Sequence, residues 1–422
     1  MAAGLSTAIE EPIPAPMPER PSTALPPREW LKENLFSNAV NSILTVVFGL
    51  LIAFALYRAV RFTFITGRWA VIEVNLTNLM VGRYPRDQLF RVWIAIYVCV
   101  AAAGFGVGVG EVHDEDRGWR GVLLTIQRTW PVLLALAVVL NPFWLKTPTP
   151  QILTVAGIAL YAVTKVAGRL VGRTGMAHQV QRRRGALYIV AVVSAYLAVT
   201  AAGGPKPQEW GGLLLTVTAS VAGIVLSFPF GLLLGLGRRS TFPVFRLFSV
   251  GFIEIVRGVP LISILFISSV TVGLFLPPGS GRLDLVVRGL IGIILFTAAY
   301  LAETVRGGLQ SVPKGQLEAA RAIGLSPLKT TRLIILPQAL RNVIPTLVGQ
   351  FISLWKDTSL LGIIGVLELL GIAQAVLVQG DFRGQGLQAE TLVFAAFLYW
   401  VACYTMSRAS QRLERRLGVG ER

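Results

Sequence analysis

Cysteine and histidine are nearly absent from this 422-residue sequence, which contains two of each. Cys99 and Cys403 both lie in apolar runs, which favours buried free thiols over a disulfide framework or a metal site. His113 and His178 are isolated and add no metal-binding spacing. We therefore predict neither a metal centre nor a disulfide-stabilised fold.

Motifs that bind nucleotide phosphates are also missing, because no GxxxxGK[ST] loop occurs in the sequence. The glycine-rich stretch GFGVGVG (104–110) is embedded in apolar residues and no lysine follows it. We interpret it as a helix-packing surface, since small residues let membrane helices approach closely. We predict that the chain is not an enzyme, has no catalytic residues and itself binds no cofactor.

Charged residues make up only 14% of the sequence, whereas hydrophobic residues make up 54%. This balance lies outside that of globular proteins and indicates an integral membrane protein. The net charge of +17 does not indicate nucleic acid, because an excess of Lys and Arg is expected in cytoplasmic loops. The Pro-rich first segment lacks the basic start and short apolar core of a signal peptide, and we predict a disordered cytoplasmic tail over 1–30.

A membrane-spanning helix needs about 20 apolar residues, and ten runs approach or exceed this length. They are 39–58, 89–110, 129–146, 150–168, 186–204, 210–236, 244–276, 284–306, 334–378 and 390–410. The ninth run is too long for one straight span, and we predict a break near KDTS (356–359). The predicted fold is an all-α, polytopic helical bundle.

Basic segments predict the orientation of these spans. VQRRRG (180–185), GRRS (237–240) and SRASQRLERRLG (407–418) favour the cytoplasm under the positive-inside rule. An even number of spans with both termini inside satisfies all three segments. The basic stretches 57–69 and 82–91 would then face the opposite side, against the same rule.

The stretch GQLEAARAIGLSPLKTTRLIILP (315–337) has the outline of a DNA-binding helix-turn-helix. In the predicted topology it is tethered to a span at each end, which leaves little freedom for a recognition helix to enter a major groove. Gly324 can end the first helix in the left-handed conformation, and the Ser-Pro pair after it can begin the second. We predict a cytoplasmic docking element, in which Glu318 either pairs with Arg321 or meets a basic group of a partner.

The same stretch resembles the EAA loop of ABC-importer permeases. The matching residues keep the family's spacing over twenty positions: Glu318, Ala319, Ala320, Gly324, Ile334, Leu336 and Pro337. Four further segments resemble the polar amino-acid branch of these permeases: 211–240, 254–266, 299–326 and 350–369. Residues 78–95 resemble the longer permease subunit of general L-amino-acid importers.

The resemblance implies a type I ABC-importer permease core of about five spans at 209–413. About five extra spans would form an N-terminal transmembrane extension at 31–208, and a cytoplasmic tail would occupy 414–422. The loop at 313–333 would form coupling helices that dock onto an ATP-binding cassette ATPase, which holds ATP and Mg. Two ATPase copies, a second and distinct shorter permease, and an extracytoplasmic amino-acid-binding protein would complete the assembly in the bacterial inner membrane.

Ionisable residues inside spans are costly and therefore mark candidate substrate contacts. Arg257 lies in EIVRGVP, where Gly and Pro favour a helix break, and its guanidinium could hold a substrate α-carboxylate. Asp357 could accept the α-ammonium, with Gln350 on the same helical face and Thr358 adding a hydroxyl. The resemblance favours these positions as substrate-binding residues.

Pairing within the chain is the alternative for both charges. Arg257 could pair with Glu254 one turn earlier, and Asp357 with the neighbouring lysine or with Arg257 itself. We interpret Glu303 and Arg306, three residues apart near the cytoplasmic end of their span, as a structural pair.

Two other functions fit parts of the sequence. An ion-coupled secondary amino-acid transporter would need a coupling-ion site of intramembrane acids and no docking loop. A non-transporting membrane scaffold would keep the loop without a pathway. The resemblance favours a third function, the permease subunit of an ATP-driven importer for polar or general L-amino acids that works by alternating access.

Overall fold

A computed structural model describes residues 26–110, 130–141, 148–174, 177–200, 204–275 and 283–418. His113 and most of the predicted amino-terminal tail lie outside these residues. The described residues form helices joined by short connections, and their one β-type pairing is an isolated bridge between Gly212 and Glu368. The predicted all-α polytopic fold is confirmed.

Sixteen α-helices lie in the described ranges. In chain order they are α1 Pro27–Leu35, α2 Ala39–Arg61, α3 Ala70–Val81, α4 Leu89–Gly110, α5 Trp130–Val139, α6 Thr149–Gly172, α7 Ala177–Thr200, α8 Gly212–Gly237, α9 Pro243–Gly258, α10 Leu261–Thr271, α11 Leu285–Ser311, α12 Lys314–Ala322, α13 Pro327–Thr330, α14 Leu336–Asp357, α15 Leu369–Ala375 and α16 Gln388–Leu417. A 3-10 segment, Thr358–Ile364, continues α14.

Seven described helices are long and apolar enough to cross a membrane, and each overlaps one of the ten predicted spans. An eighth predicted span, 244–276, is a broken pair, because α9 and the helix after it meet at a bend of 112°. Gly258 and Pro260 lie at this bend, where proline cannot continue the hydrogen-bond ladder of α9. The predicted span 129–146 is only partly described, as α5.

The ninth predicted span breaks where the sequence indicated. α14 ends at Asp357, a 3-10 segment follows, and a short apolar helix then occupies Leu369–Val378. Gly365 has a φ of 91° and ends the 3-10 segment in the left-handed conformation that favours glycine. The run 334–378 is therefore one long helix followed by a short one.

The chain divides into two compact units, Met1–Gly67 and Arg68–Arg422. The first contains α1 and α2, and Asn38 caps α2 by accepting a hydrogen bond from Asn41 N at 2.8 Å. No residue of α2 is buried within the chain, although its mean hydropathy is 2.4 over the apolar window. An apolar helix with this exposure is typical of contact with lipid.

Glycines bring α4 against α6 in the second unit. A Cβ added to Gly108 would lie 2.1 Å from Lys165 O, and one added to Gly168 would lie 2.3 Å from Phe105 O. The two backbones therefore touch, as close small-residue packing allows. This contact explains the glycine-rich stretch 104–110 without a phosphate-binding role.

Helix α3 is the element that span length alone did not predict. It has twelve residues, and its buried side chains pack with those of α15 and the first turns of α16. Gly82, at φ 64°, then brings the backbone against Gly211, where an added Cβ would lie 2.4 Å from the Gly211 Cα. The segment before α4 is thus part of the same hydrophobic core as α8, α15 and α16.

Contacts between helix ends define two ends of the second unit. At one of them, which we call the basic end, Arg239 Nη1 donates to Leu309 O at 3.1 Å, and Gly418 lies beside Arg341. At the opposite end, Gly212 N donates to Leu367 O at 3.0 Å. The segments 237–240 and 407–418 therefore share the basic end.

Two further basic segments of the second unit can be placed relative to these ends. The Tyr196 ring contacts Trp210 at the opposite end, so α7 begins, with 180–185, at the basic end. The stretch 82–91 lies at the opposite end, beside Gly211. The segments 180–185, 237–240 and 407–418 thus lie at one end and 82–91 at the other, while the side of the membrane that each end faces stays a prediction.

Candidate functional site

The predicted docking element forms two short helices at the basic end. α12 ends at a left-handed Gly324, with φ 75°, and Leu325 N donates to Ala320 O at 3.1 Å. α13 begins after Ser326, whose carbonyl accepts from Thr330 N at 2.9 Å. The glycine closes the first helix and lets the chain turn sharply into the second.

This element is fixed to the spans on both sides of it. Ala320 is 1% exposed, and Gln338 Nε2 on α14 donates to Gln316 Oε1 on α12 at 3.3 Å. Leu336 packs with Leu309 in a small cluster that joins α11 to α14. Only two residues separate α11 from α12, so the two helices are connected by a very short segment.

The outer surface of the element is apolar and basic with one acid. Ile323 and Leu328 are 73% and 77% exposed. Glu318 is exposed, and among the described residues it makes no ion pair with Arg321. Of the two predicted roles of Glu318, the local ion pair with Arg321 is therefore absent from the described part of the structure.

The remaining motif residues divide by exposure. Ala319, Gly324 and Pro337 are exposed, whereas Ile334 and Leu336 are half-buried. The motif thus supplies both an outward face and the contacts that hold the element on the bundle.

Arg257 lies near the end of α9 and is bound across helices. Its Nη1 is 3.7 Å from Glu303 Oε2 on α11, and its guanidinium lies over the Tyr300 ring at 5.3 Å from the centroid. Glu254, the partner suggested by spacing along the helix, instead pairs with Arg238 at 2.9 Å. The arginine is therefore held by α11 and not by its own helix.

Glu303 is the centre of a charge cluster, which we define as Arg238, Glu254, Arg257, Glu303 and Arg306. Arg238 Nη1 lies 3.2 Å from Glu303 Oε2, and Arg306 Nε donates to Glu303 Oε1 at 2.5 Å. The predicted pair of Glu303 and Arg306 is present. The cluster connects α8, α9 and α11.

Asp357 and Gln350 have polar groups that form no hydrogen bond with the described part of the chain. Asp357, the last residue of α14, is half-buried and makes no hydrogen bond or ion pair in the described part of the chain. The Gln350 side chain is also half-buried, without a hydrogen bond to described residues. Thr358 differs, because it is 0% exposed and its Oγ1 donates to Trp355 O at 2.7 Å.

These residues lie at two levels of the bundle. Leu347 packs with Leu301, the residue after Tyr300, so Gln350 lies near the level of Arg257. Asp357 lies seven residues further along α14, which is about 10 Å at the helical rise. The structure therefore places Gln350 near the level of Arg257, and Asp357 about two turns further along α14.

The buried carboxylate of Glu368, which the sequence analysis did not identify, stabilises the start of α15, the helix that follows the break after Asp357. Glu368 is 0% exposed and caps α15 by accepting from two backbone N–H groups at 2.7 and 2.8 Å. The Tyr399 hydroxyl of α16 donates to Glu368 Oε2 at 2.8 Å, and Leu369 N donates to Thr216 Oγ1 of α8 at 3.1 Å. This network joins α8, α15 and α16.

Comparison with known proteins identifies the family. The family model described as the inner membrane component of binding-protein-dependent transport systems matches residues 227–419. The inner membrane amino-acid ABC transporter permease protein YhdY of Escherichia coli (strain K12) is 36% identical over 406 residues, which are 93% of this chain and 93% of YhdY. This chain belongs to the amino-acid ABC transporter permeases.

A second relative of similar length supports the same family. The glutamate/glutamine/aspartate/asparagine transport system permease protein BztC of Rhodobacter capsulatus is 35% identical over 424 residues, covering 92% of this chain and 93% of BztC. A crystal structure of an amino acid ABC transporter with histidines covers 49% of this chain at 28% identity, with a TM-score of 0.44.

Family membership confirms the function predicted from the sequence. The protein is a multi-span permease subunit of an amino-acid ABC transporter and not an enzyme. The two alternatives, an ion-coupled secondary transporter and a non-transporting scaffold, gain no support from these relatives.

Two functional residues, Glu368 and Arg238, were not predicted from the sequence, which gives only weak indications of their roles. Glu368 directly precedes an apolar helix, as a capping residue does, but its neighbours resemble an ordinary buried loop. Arg238 lies 65 residues before Glu303, so no local spacing relates the two. Only the packing of α8 against α11 brings them together.

Proposed function

We propose that this permease imports polar L-amino acids across the bacterial inner membrane by alternating access, driven by ATP hydrolysis in partner chains. BztC, by its name, belongs to a transport system for glutamate, glutamine, aspartate and asparagine, which supports this substrate class. We assign the permease core to 209–413 and a transmembrane extension to 31–208. The tails at 1–30 and 414–422 would be cytoplasmic, together with the basic end.

The observation that carries this proposal is the exposed two-helix element between α11 and α14. Its protruding apolar residues, Ile323 and Leu328, would enter an apolar groove on an ATP-binding cassette ATPase, which would hold the ATP and Mg. Glu318, exposed and unpaired within the described chain, would meet a basic group at the edge of that groove. Ala320, Ile334 and the adjoining proline-containing turn would keep the element rigid.

The assembly follows from this docking geometry. One docking element serves one ATPase, so two permease chains would bind two ATPase copies. A second, distinct and shorter permease would provide the other half of the pathway. An extracytoplasmic amino-acid-binding protein would deliver the substrate at the opposite end.

Residues at two levels would guide the substrate between the ends. Asp357 would attract the α-ammonium, since it is a half-buried carboxylate that makes no hydrogen bond or ion pair with the described residues. Arg257, with Gln350 near its level, would bind the α-carboxylate in a forked pair of hydrogen bonds. Thr358 would position Asp357, because its buried hydroxyl binds the last turn of α14.

Charge reversal on the docking element tests the proposal. Complexes that carry Glu318→Lys would be reconstituted at equal assembly, and substrate-stimulated ATPase activity and uptake would both be measured. We expect both activities to fall at least tenfold, since the change removes one attraction and adds one repulsion at a desolvated interface. The matched control is Asp381→Lys, which makes the same charge change at an exposed position between α15 and α16.

Two outcomes would contradict the docking role. Unchanged ATPase and uptake in Glu318→Lys would show that the acid is a solvated surface residue. Equal losses in Glu318→Lys and Asp381→Lys would show a general effect of charge and not a docking contact.

A further inference from the structure

One carboxylate, that of Glu303, interacts with three arginines. Arg306 and Arg238 are close to it, with Arg306 Nε at 2.5 Å and Arg238 Nη1 at 3.2 Å. Arg257 Nη1, at 3.7 Å from Glu303 Oε2, is the most distant and lies beyond hydrogen-bond length. Arg257 is therefore the most weakly held of the three.

The cluster carries an excess of positive charge. Among the described residues it contains three arginines and two glutamates, and Glu254 pairs only with Arg238. Glu303 is 19% exposed and Arg257 is 36% exposed, so the charges are only partly solvated. An uncompensated charge in such surroundings favours the binding of an anion.

Arg257 is the most exposed of the three arginines in the cluster, at 36% against 31% for Arg306 and 24% for Arg238. It adjoins the 112° bend after α9, whereas Glu303 is one of the less exposed charges on α11. The Tyr300 ring covers one face of the guanidinium and leaves its nitrogen edge for a carboxylate. A small anion that reaches the bend would meet Arg257 before it meets the other two arginines.

We propose that Glu303 is an internal substitute for the substrate carboxylate: it holds Arg257 when the pathway is empty and releases it when a substrate carboxylate binds. This inference rests on the proposed role of Arg257 in substrate binding. The exchange replaces one ion pair by another and leaves Glu303 paired with Arg238 and Arg306. The protein thus avoids an unpaired arginine in the empty state, which would be costly.

The exchange of ion pairs would also couple substrate binding to the docking element through α11. Glu303 lies eight residues before the end of α11, about 12 Å at the helical rise. α11 continues through two residues into α12. Release of Arg257 would remove the direct ion pair between the bent helix α9 and α11 and leave only the indirect connection through Arg238, so that substrate binding would change the position of the helix that carries the coupling loop.

Substitution of Glu303 by Gln in the reconstituted complex tests the exchange. Loss of the competing carboxylate frees Arg257, so we expect the KM for uptake to fall about fivefold, the size of a partly exposed ion pair. We also expect ATPase activity without substrate to rise towards the substrate-stimulated level of the wild type. The charge-matched control is Asp381→Asn, which removes an exposed carboxylate outside the cluster and should change KM less than twofold.

A second variant keeps the test decisive if Glu303→Gln fails to assemble. Glu303→Asp retains the charge for the nearby arginines but is shorter by one methylene, which takes the carboxylate further from Arg257. As in Glu303→Gln, we expect the KM for uptake to fall and the ATPase activity measured without substrate to rise.

Arg257→Ala separates the two proposals. If Arg257→Ala loses uptake while the assembled Glu303 variants keep wild-type KM and ATPase activity without substrate, the exchange is wrong and the substrate role of Arg257 stands. If Arg257→Ala retains wild-type KM, the substrate role itself is wrong, and the exchange fails with it.

Discussion

Replacement of Glu368 by Ala is expected to destabilise the permease strongly. Glu368 is fully buried and accepts three hydrogen bonds, two from the first turn of α15 and one from the Tyr399 hydroxyl, at 2.7 to 2.8 Å. Alanine removes all three acceptors. The hydroxyl of α16 and the first turn of α15 then lose their shared partner.

The magnitude follows from two losses. Removal of a helix cap costs about 1–2 kcal/mol. Loss of a hydrogen bond from a buried hydroxyl to a carboxylate costs about 1.5–3 kcal/mol. The free energy of unfolding should therefore fall by roughly 2.5–5 kcal/mol in Glu368→Ala, and by about half as much in Glu368→Gln, which keeps the shape and one acceptor oxygen.

Thermal unfolding of the purified chain in detergent measures this effect. We expect the midpoint to fall by roughly 5–10 °C in Glu368→Ala. Tyr399→Phe, which removes one of the three hydrogen bonds, should give a smaller decrease. Asp381→Ala, at an exposed acid, is the control. A midpoint within about 1 °C of wild type for Glu368→Ala would refute the argument that this carboxylate holds α15 and α16 together.

Two other substitutions test the packing and the pathway. Gly108→Ala should prevent α4 from closing on α6, because its Cβ would lie 2.1 Å from Lys165 O, and the yield of folded protein should fall well below that of Gly185→Ala, where no atom lies within 4 Å. A normal yield for Gly108→Ala would show that the two helices separate at little cost. Asp357→Asn should raise the KM for uptake about 10- to 100-fold by removing a charge-assisted hydrogen bond to the substrate ammonium, and an unchanged KM would exclude that contact.

Hydrophobic length predicted most of the membrane-crossing helices. Runs such as 210–236 and 284–306 differ from α8 and α11 by only a few residues at their ends, because the bilayer demands about 20 apolar residues whatever the tertiary contacts are. The break after Asp357 was also predictable, since a polar KDTS tetrapeptide interrupts an apolar run. The bend after α9 had its signal in the glycine and proline that follow Arg257.

Length could not predict α3 or the interhelical pairs. α3 has twelve residues and is buried by contact with α15 and α16, so its role depends on elements almost 300 residues later in the chain. Arg257 pairs with Glu303 although Glu254 is nearer in sequence, because packing of α9 on α11 decides which carboxylate is within reach. Glu318 forms no ion pair with Arg321 one turn later in the helix, since an exposed ion pair contributes too little energy to fix both side chains.

Uptake by reconstituted vesicles tests the central claim most directly. The permease, its ATPase, its partner permease and its binding protein would be assembled in proteoliposomes, and accumulation of labelled glutamate and glutamine would be followed with all ion gradients collapsed by ionophores. We predict accumulation that requires ATP on the side of the basic end and that Arg257→Ala abolishes. Accumulation that needs an ion gradient and proceeds without ATP would contradict an ATP-driven importer, and ATP-driven accumulation unaffected by Arg257→Ala would contradict the proposed pathway.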